Sequence, residues 1–323
     1  MGLFDRLYYG KAGKRDYSEM DMPKTRVALF FLVLKDHIFD LIKVNAMQLI
    51  FWLPFLIWTF MNFSVIQTID AAALLESAEG TSALLEAFAG YFAIWLLGLV
   101  PCIAITGPSS AGAAYVMRNW ARDEHAFIFS DFKDAFKSNW NQALPVSLMT
   151  GILPIILYTA VMYYSQMASS NMIMIVPMVF VISVGLMWML MLPLLYPMMI
   201  GYELRFKDVV KNAFLIAAAR LPHMIASRLI TFIPIALLLI GLYFGIFWLL
   251  LGVGFYYILF GFAFSRLVYA SFANGAFDKY LNPHIEGAKV NQGLRPHMDE
   301  DDIPYDDDDE EEEETLPDEE DEE

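Results

Sequence analysis

Between Leu229 and Phe272 run 44 residues that carry a single charge, Arg266. As one α-helix this stretch would reach about 66 Å, roughly twice the hydrocarbon thickness of a bilayer. It has to turn, and the glycines from Gly245 to Gly254 are where the turn is expected, giving spans of about 229–246 and 250–272. Four further stretches, about 44–63, 89–107, 144–164 and 172–199, hold the roughly 20 mostly apolar residues that a membrane-crossing helix needs. A chain patterned this way is expected to be all-α, a polytopic helical membrane protein with about six transmembrane helices. Composition agrees, since 58% of residues are hydrophobic and 18% charged, against about 45–50% and about 25% in soluble domains.

The basic residues sort by segment. Residues 1–43 hold eight, 117–143 hold four, 201–228 hold five, and Arg266 with the residues beyond it holds four, which accounts for all 21 Lys and Arg. The loops between hold none, and the loop from Ser64 to Phe88 is acidic, with Asp70, Glu76, Glu79 and Glu86. Basic residues stay on the cytoplasmic side of a membrane protein. The partition therefore predicts six spans with both termini in the cytoplasm, in the cell membrane.

The net negative charge comes from one place. From Asp299 to Glu323, 19 of 25 residues are Asp or Glu, so the net charge of −16 belongs to the tail and the rest of the chain is mildly basic. Such a run repels itself and buries little, so disorder is expected over 286–323. It reads as a solubilising bristle, a weak chelator of divalent cations or a contact for a basic surface. The expected organisation is a cytoplasmic segment with an interfacial helix over 1–43, a membrane domain over 44–285 and the acidic tail. The start of the chain has no apolar signal-peptide core. Cys102 is the one cysteine, which rules out an intrachain disulfide.

Short echoes suggest a repeat. Phe132-Lys-Asp-Ala-Phe-Lys137 resembles Phe206-Lys-Asp-Val-Val-Lys211, and each precedes a proline-containing span. Lys43-x-Asn45-x-x-Gln48 is matched by Lys137-x-Asn139-x-x-Gln142. The expected arrangement is three successive hairpins, each led by a cytoplasmic interfacial helix; recurrence of short Lys-Asn-Phe interface sequences by composition alone is the other reading.

Two stretches carry a family resemblance. In Ile105-Thr-Gly-Pro-Ser-Ser-Ala-Gly-Ala-Ala-Tyr-Val-Met-Arg118 a span ends in a turn of small residues and continues as a basic helix. Phe129-Ser-Asp-Phe-Lys-Asp-Ala-Phe-Lys-Ser-Asn-Trp140 is an aromatic and basic run soon after it. With the initial Met-Gly-Leu-Phe, over about 1–285, the chain resembles the YesL family of bacterial membrane proteins. That family is of unknown function, and its genes often lie beside those for carbohydrate ABC uptake systems. The resemblance implies subunits of such transporters as partners, besides the lipid bilayer, and supplies no catalytic residues.

The candidate interaction motif is Thr106, Gly107, Pro108, Ser109 and Ser110. It either offers backbone groups to a substrate, as broken helices do in transporters, or lets helices pack closely on small residues. The candidate docking surface is Phe129, Phe132, Lys133, Phe136, Lys137 and Trp140, which fits a partner's cytoplasmic domain or the lipid headgroups. Arg228 and Arg266 sit near inner span ends and are expected to snorkel to the interface. The methionine-rich fourth span reads as adaptable packing more than as a copper site. The five histidines are widely spaced, and no nucleotide-binding, nucleophile-elbow or zinc-protease motif occurs. No enzyme activity, cofactor, metal or nucleic-acid partner is expected. The expected role is accessory, assembly or regulatory in carbohydrate uptake; the alternative is a transporter or channel for a neutral solute, with Tyr158, Tyr163, Tyr164, Tyr196 and Thr150 along its path.

Overall fold

A computed structural model describes residues 22–66 and 80–296, and every regular element among them is helical. The helices are α1 (Arg26–Asp36), α2 (Ile38–Ile66), α3 (Thr81–Ala104), α4 (Thr106–Trp120) and α5 (Ile128–Ala168). After these come α6 (Ile175–Gly201), α7 (Phe206–Ala219), α8 (Leu221–Phe244), α9 (Phe247–Tyr256) and α10 (Phe262–Tyr280). Among the described residues six stretches are long and apolar enough to cross a membrane: Ile38–Ile66, Thr81–Ala104, Ile128–Ala168, Met172–Gly201, Leu221–Phe244 and Phe247–His284. The chain is an all-α polytopic helical membrane protein. Residues 1–21 of the expected N-terminal segment and residues 297–323 of the expected tail lie outside the described residues. Residues 286–296, also expected to be disordered, are instead tied back through Asn291 to Asp278 and through Gln292 to Arg122.

The long apolar stretch turns at Gly245. Its φ of 66° is left-handed, which glycine adopts without a Cβ penalty, and the Gly245 and Ile246 amides both close on the Gly241 carbonyl. The sixth span then runs from Phe247, earlier than residue 250, and α10 continues past Phe272 to Tyr280. Between α9 and α10 the helix widens into a π turn at Tyr257–Gly261. Asn45 of α2, wholly buried, holds that turn with its whole amide. Its Nδ2 donates to the carbonyls of Tyr257 (3.0 Å) and Ile258 (2.8 Å), and its Oδ1 accepts from the amides of Phe262 (2.9 Å) and Ala263 (3.1 Å). A widened turn leaves backbone groups that the bilayer cannot satisfy, and one carboxamide takes four of them.

Two of the three leading helices are separate elements. Helix α1 packs Leu29 and Val33 inward and breaks from α2 at His37, whose ring stacks on Trp120 at 4.4 Å. Helix α7 buries Val209, Ala213, Ile216 and Ala217 and is set off from α8 at Arg220. The expected second interfacial helix does not exist as an element of its own: α5 runs unbroken for 41 residues through Pro145. Before Pro145 the side-chain amide nitrogen of Asn139 donates to Ala135 O (3.0 Å) in its own helix and that of Gln142 donates across to Leu204 O (3.0 Å).

The core lies toward one end. It joins Ala111 and Ala114 of α4, Ala143 and Val146 of α5, Leu194, Leu195, Met198 and Met199 of α6, α7's inner face, and Ala273, Ala276 and Phe277 of α10. That end, called here the basic end, also gathers Arg26 against Asp278 and Arg118 over Gly201. Farther along the spans large apolar side chains are exposed, among them Phe180, Tyr243, Phe244 and Trp248.

Candidate functional site

The Thr106–Ser110 motif opens α4, and all five residues are buried. Pro108 has no amide hydrogen, so the Ala104 carbonyl loses its helical donor. Ser147 of α5 replaces it, donating to Ala104 O at 2.6 Å. The remaining hydroxyls are spent in the same way: Thr106 donates to Ile103 O (2.7 Å), Ser109 to Thr106 O (2.9 Å) and Ser110 to Thr106 O (2.8 Å). The break is thus closed by side chains, as apolar surroundings require. Close packing follows from the small residues. A Cβ on Gly107 would collide with Ala143 and Ser147, and one on Gly112 would stand 2.7 Å from Phe132 O.

The sequence-predicted docking residues divide between two sides of α5. Phe132 is buried beneath Gly112, and Phe136 packs on Phe51 at 5.4 Å between ring centroids. Phe129, Lys133, Lys137 and Trp140 are exposed, and Phe127 extends the exposed side.

Arg228 and Arg266 depart from expectation: neither snorkels away. Arg266 donates to Ser110 Oγ at 2.6 Å and lies 4.9 Å from the Tyr196 ring centroid. Arg228 donates to Met189 O (2.6 Å) and to the Tyr269 hydroxyl (2.7 Å), with its guanidinium 4.9 Å from the Tyr269 ring centroid. Thr231 shares a hydrogen bond with Tyr269 at 2.9 Å. Ring faces and hydroxyls stabilise both cations, but neither forms an ion pair with a carboxylate among the described residues. The Arg228 Nη2 is buried and finds no hydrogen-bond partner among them. Both arginines are half-buried, and tyrosines and a serine from α4, α6 and α10 take up part of their hydrogen-bonding capacity.

Along α10 this polar seam continues to the basic end. Arg220 donates to Gly275 O (3.0 Å), and Arg26 pairs with Asp278. Asp278 also accepts from Asn282 and from the Asn291 amide (3.0 Å), and Asn282 Oδ1 accepts the Tyr202 hydroxyl at 2.6 Å. Arg122 donates to Gln292 Oε1 (2.7 Å) and pairs with Glu124 (3.3 Å). Burial draws Arg26 below its ordinary value while Asp278 opposes the shift. Burial lowers Arg118 as well, with Arg122 adding repulsion. The Tyr202 hydroxyl is pushed up to about 12, mainly by burial, against the pull of Arg118.

Arginines so placed can hold a surface together or receive anionic groups. Among the described residues, no group of three His, Cys, Asp or Glu lies where it could hold a metal ion. Sequence reasoning counted these arginines for orientation and missed their engagement. The available signal was Arg266 itself, a lone charge in a long apolar stretch.

Fold and seam define a polytopic helical membrane protein with a densely packed, arginine-rich end. Residues 56–161, from within α2 into α5 and including the helix break, match the family model described as a protein of unknown function, DUF624. No curated protein and no solved structure matches the chain.

Proposed function

We propose that the chain is a non-enzymatic accessory, assembly or regulatory partner of a carbohydrate uptake system of the ABC type, in a bacterial cell membrane, with its basic end and both termini cytoplasmic. The orientation is supported by the partition of Lys and Arg. The uptake system is supported by the resemblance to the YesL family. The observation that carries a partner role is the exposed side of α5, where Phe127, Phe129 and Trp140 stand 69%, 65% and 51% exposed beside Lys133 and Lys137. Exposed aromatic anchors next to cations suit a protein contact. A neutral-solute path is disfavoured by the partners of its residues. Tyr158 donates to Ala89 O (3.2 Å), and Thr150 is held between Val146 O (2.7 Å) and Trp188 Nε1 (3.0 Å).

A photo-crosslinking amino acid at position 129 or 140, used in native membranes, tests the role. Crosslinks to sugar-transport permease or ATPase subunits are expected, lost on Lys133→Glu with Lys137→Glu. Crosslinks to lipid alone would overturn it.

A further inference from the structure

A groove of about 800 Å³ opens between α5, α6 and α7. Its walls are Met149 and Leu153 on α5 and Val184 and Trp188 on α6, and Val210 and Phe214 of α7 close it toward the basic end. Lys207 and Lys211 of α7 also line it. Both lysines are exposed, and neither has a carboxylate within salt-bridge distance among the described residues. Asp208, the nearest acid in sequence, is not part of the lining. The stripe explains this placement. Phe206, Val210 and Phe214 recur every four residues, with Lys207 and Lys211 one residue on, so α7 turns both toward the groove while Val209, Ala213 and Ala217 face the core.

We infer that this groove is a site for one anionic phospholipid, an acyl chain lying along the apolar walls and the phosphate held by Lys207 and Lys211. The walls belong to two membrane spans and α7 borders their basic end, so the chain and headgroup of a lipid meet matching surfaces in the right order. The lysine stems can lie on Phe214 and Val210 while their ammonium groups reach the headgroup level. An apolar helix from a second copy or another protein would fill the walls but make no use of the two ammonium groups at their edge.

Trp188 reports on the groove directly. The full chain in dodecyl maltoside micelles is titrated with phosphatidylglycerol or phosphatidylcholine carrying brominated acyl chains, and the fluorescence missing in Trp188→Phe is followed. Phosphatidylglycerol is expected to quench that component at about one thirtieth the mole fraction that phosphatidylcholine needs, the scale of two lysines near a charged lipid surface. Lys207→Gln with Lys211→Gln should erase the difference without changing quenching by phosphatidylcholine, and the double Arg variant should keep it. Equal quenching by both lipids, or a preference that survives in the Gln variant, overturns the inference. So does a Trp188 that neither lipid quenches, which would mean that protein covers the groove.

Discussion

Ser147 donates its hydroxyl to the carbonyl of Ala104 at 2.6 Å, joining the middle of α5 to the end of α3 at the acceptor that Pro108 orphans. Ser147→Ala removes the hydroxyl that donates to this carbonyl and leaves a buried acceptor without it. A loss of about 1–3 kcal/mol is expected. Denaturation of the purified protein followed by tryptophan fluorescence measures it, with the exposed Ser138→Ala as the unchanged control. Equal midpoints for the two variants would show that Ala104 finds another donor.

The glycines of α4 make a contrasting pair with Gly90. Gly107→Ala must push a methyl into Ala143 and Ser147, whereas Gly90→Ala meets nothing within 4 Å inside a helix. Gly107→Ala should lower the midpoint sharply, and Gly90→Ala should leave it unchanged or raise it by up to about 1 kcal/mol through helix propensity. A tolerated Gly107→Ala would mean that α4 and α5 do not approach so closely.

Asn45→Leu strips four hydrogen bonds from the π turn at once. The cost should exceed about 2 kcal/mol, because buried backbone groups on both sides lose their partners. Hydrogen exchange should localise the damage to residues 257–263. Uniform loosening of the whole chain would argue against a local role.

For Arg266 the expectation runs the other way. A cation in an apolar bundle without a carboxylate partner is costly, and an apolar side chain of similar length avoids that cost. Arg266→Met should unfold no earlier than the unsubstituted chain, while the crosslinks from positions 129 and 140 weaken if the seam serves the partner contact. Early unfolding of Arg266→Met would make the arginine a structural strut.

Alkaline pH tests Tyr202. Its folded value is raised to about 12 from an ordinary value near 10, so the unfolded chain gives up its proton first. The associated stability is complete below pH 10 and drains away as pH rises toward 12. Tyr202→Phe keeps the ring against Phe277 but cannot titrate. It should show a shallower decline across that window, at the price of the Asn282 bond at every pH.

Much of the architecture is legible in the sequence. Runs of apolar residues announce spans because the bilayer demands length and hydropathy together, and Gly245 marks its turn because few other residues accept a positive φ. The seam was not legible for an equally physical reason. An arginine near a span end reads the same whether it reaches for water or for a neighbouring helix, and the choice was made by Ser110, 156 residues from Arg266 in sequence. Asn45 likewise depends on backbone more than 200 positions away. The docking run divides for a related reason: spacing identifies an amphipathic stretch but does not say that Phe132 packs beneath Gly112 while Phe129 and Trp140 stay exposed.

The concentration of the core at the basic end makes the bilayer a structural component of the other. Where Phe180, Tyr243, Phe244 and Trp248 are bare of protein, acyl chains complete the packing. A mismatch between span length and bilayer thickness is therefore met first at the far ends of the spans, where few protein contacts oppose tilt. Such a chain is held by its own side chains at one end and by lipid at the other.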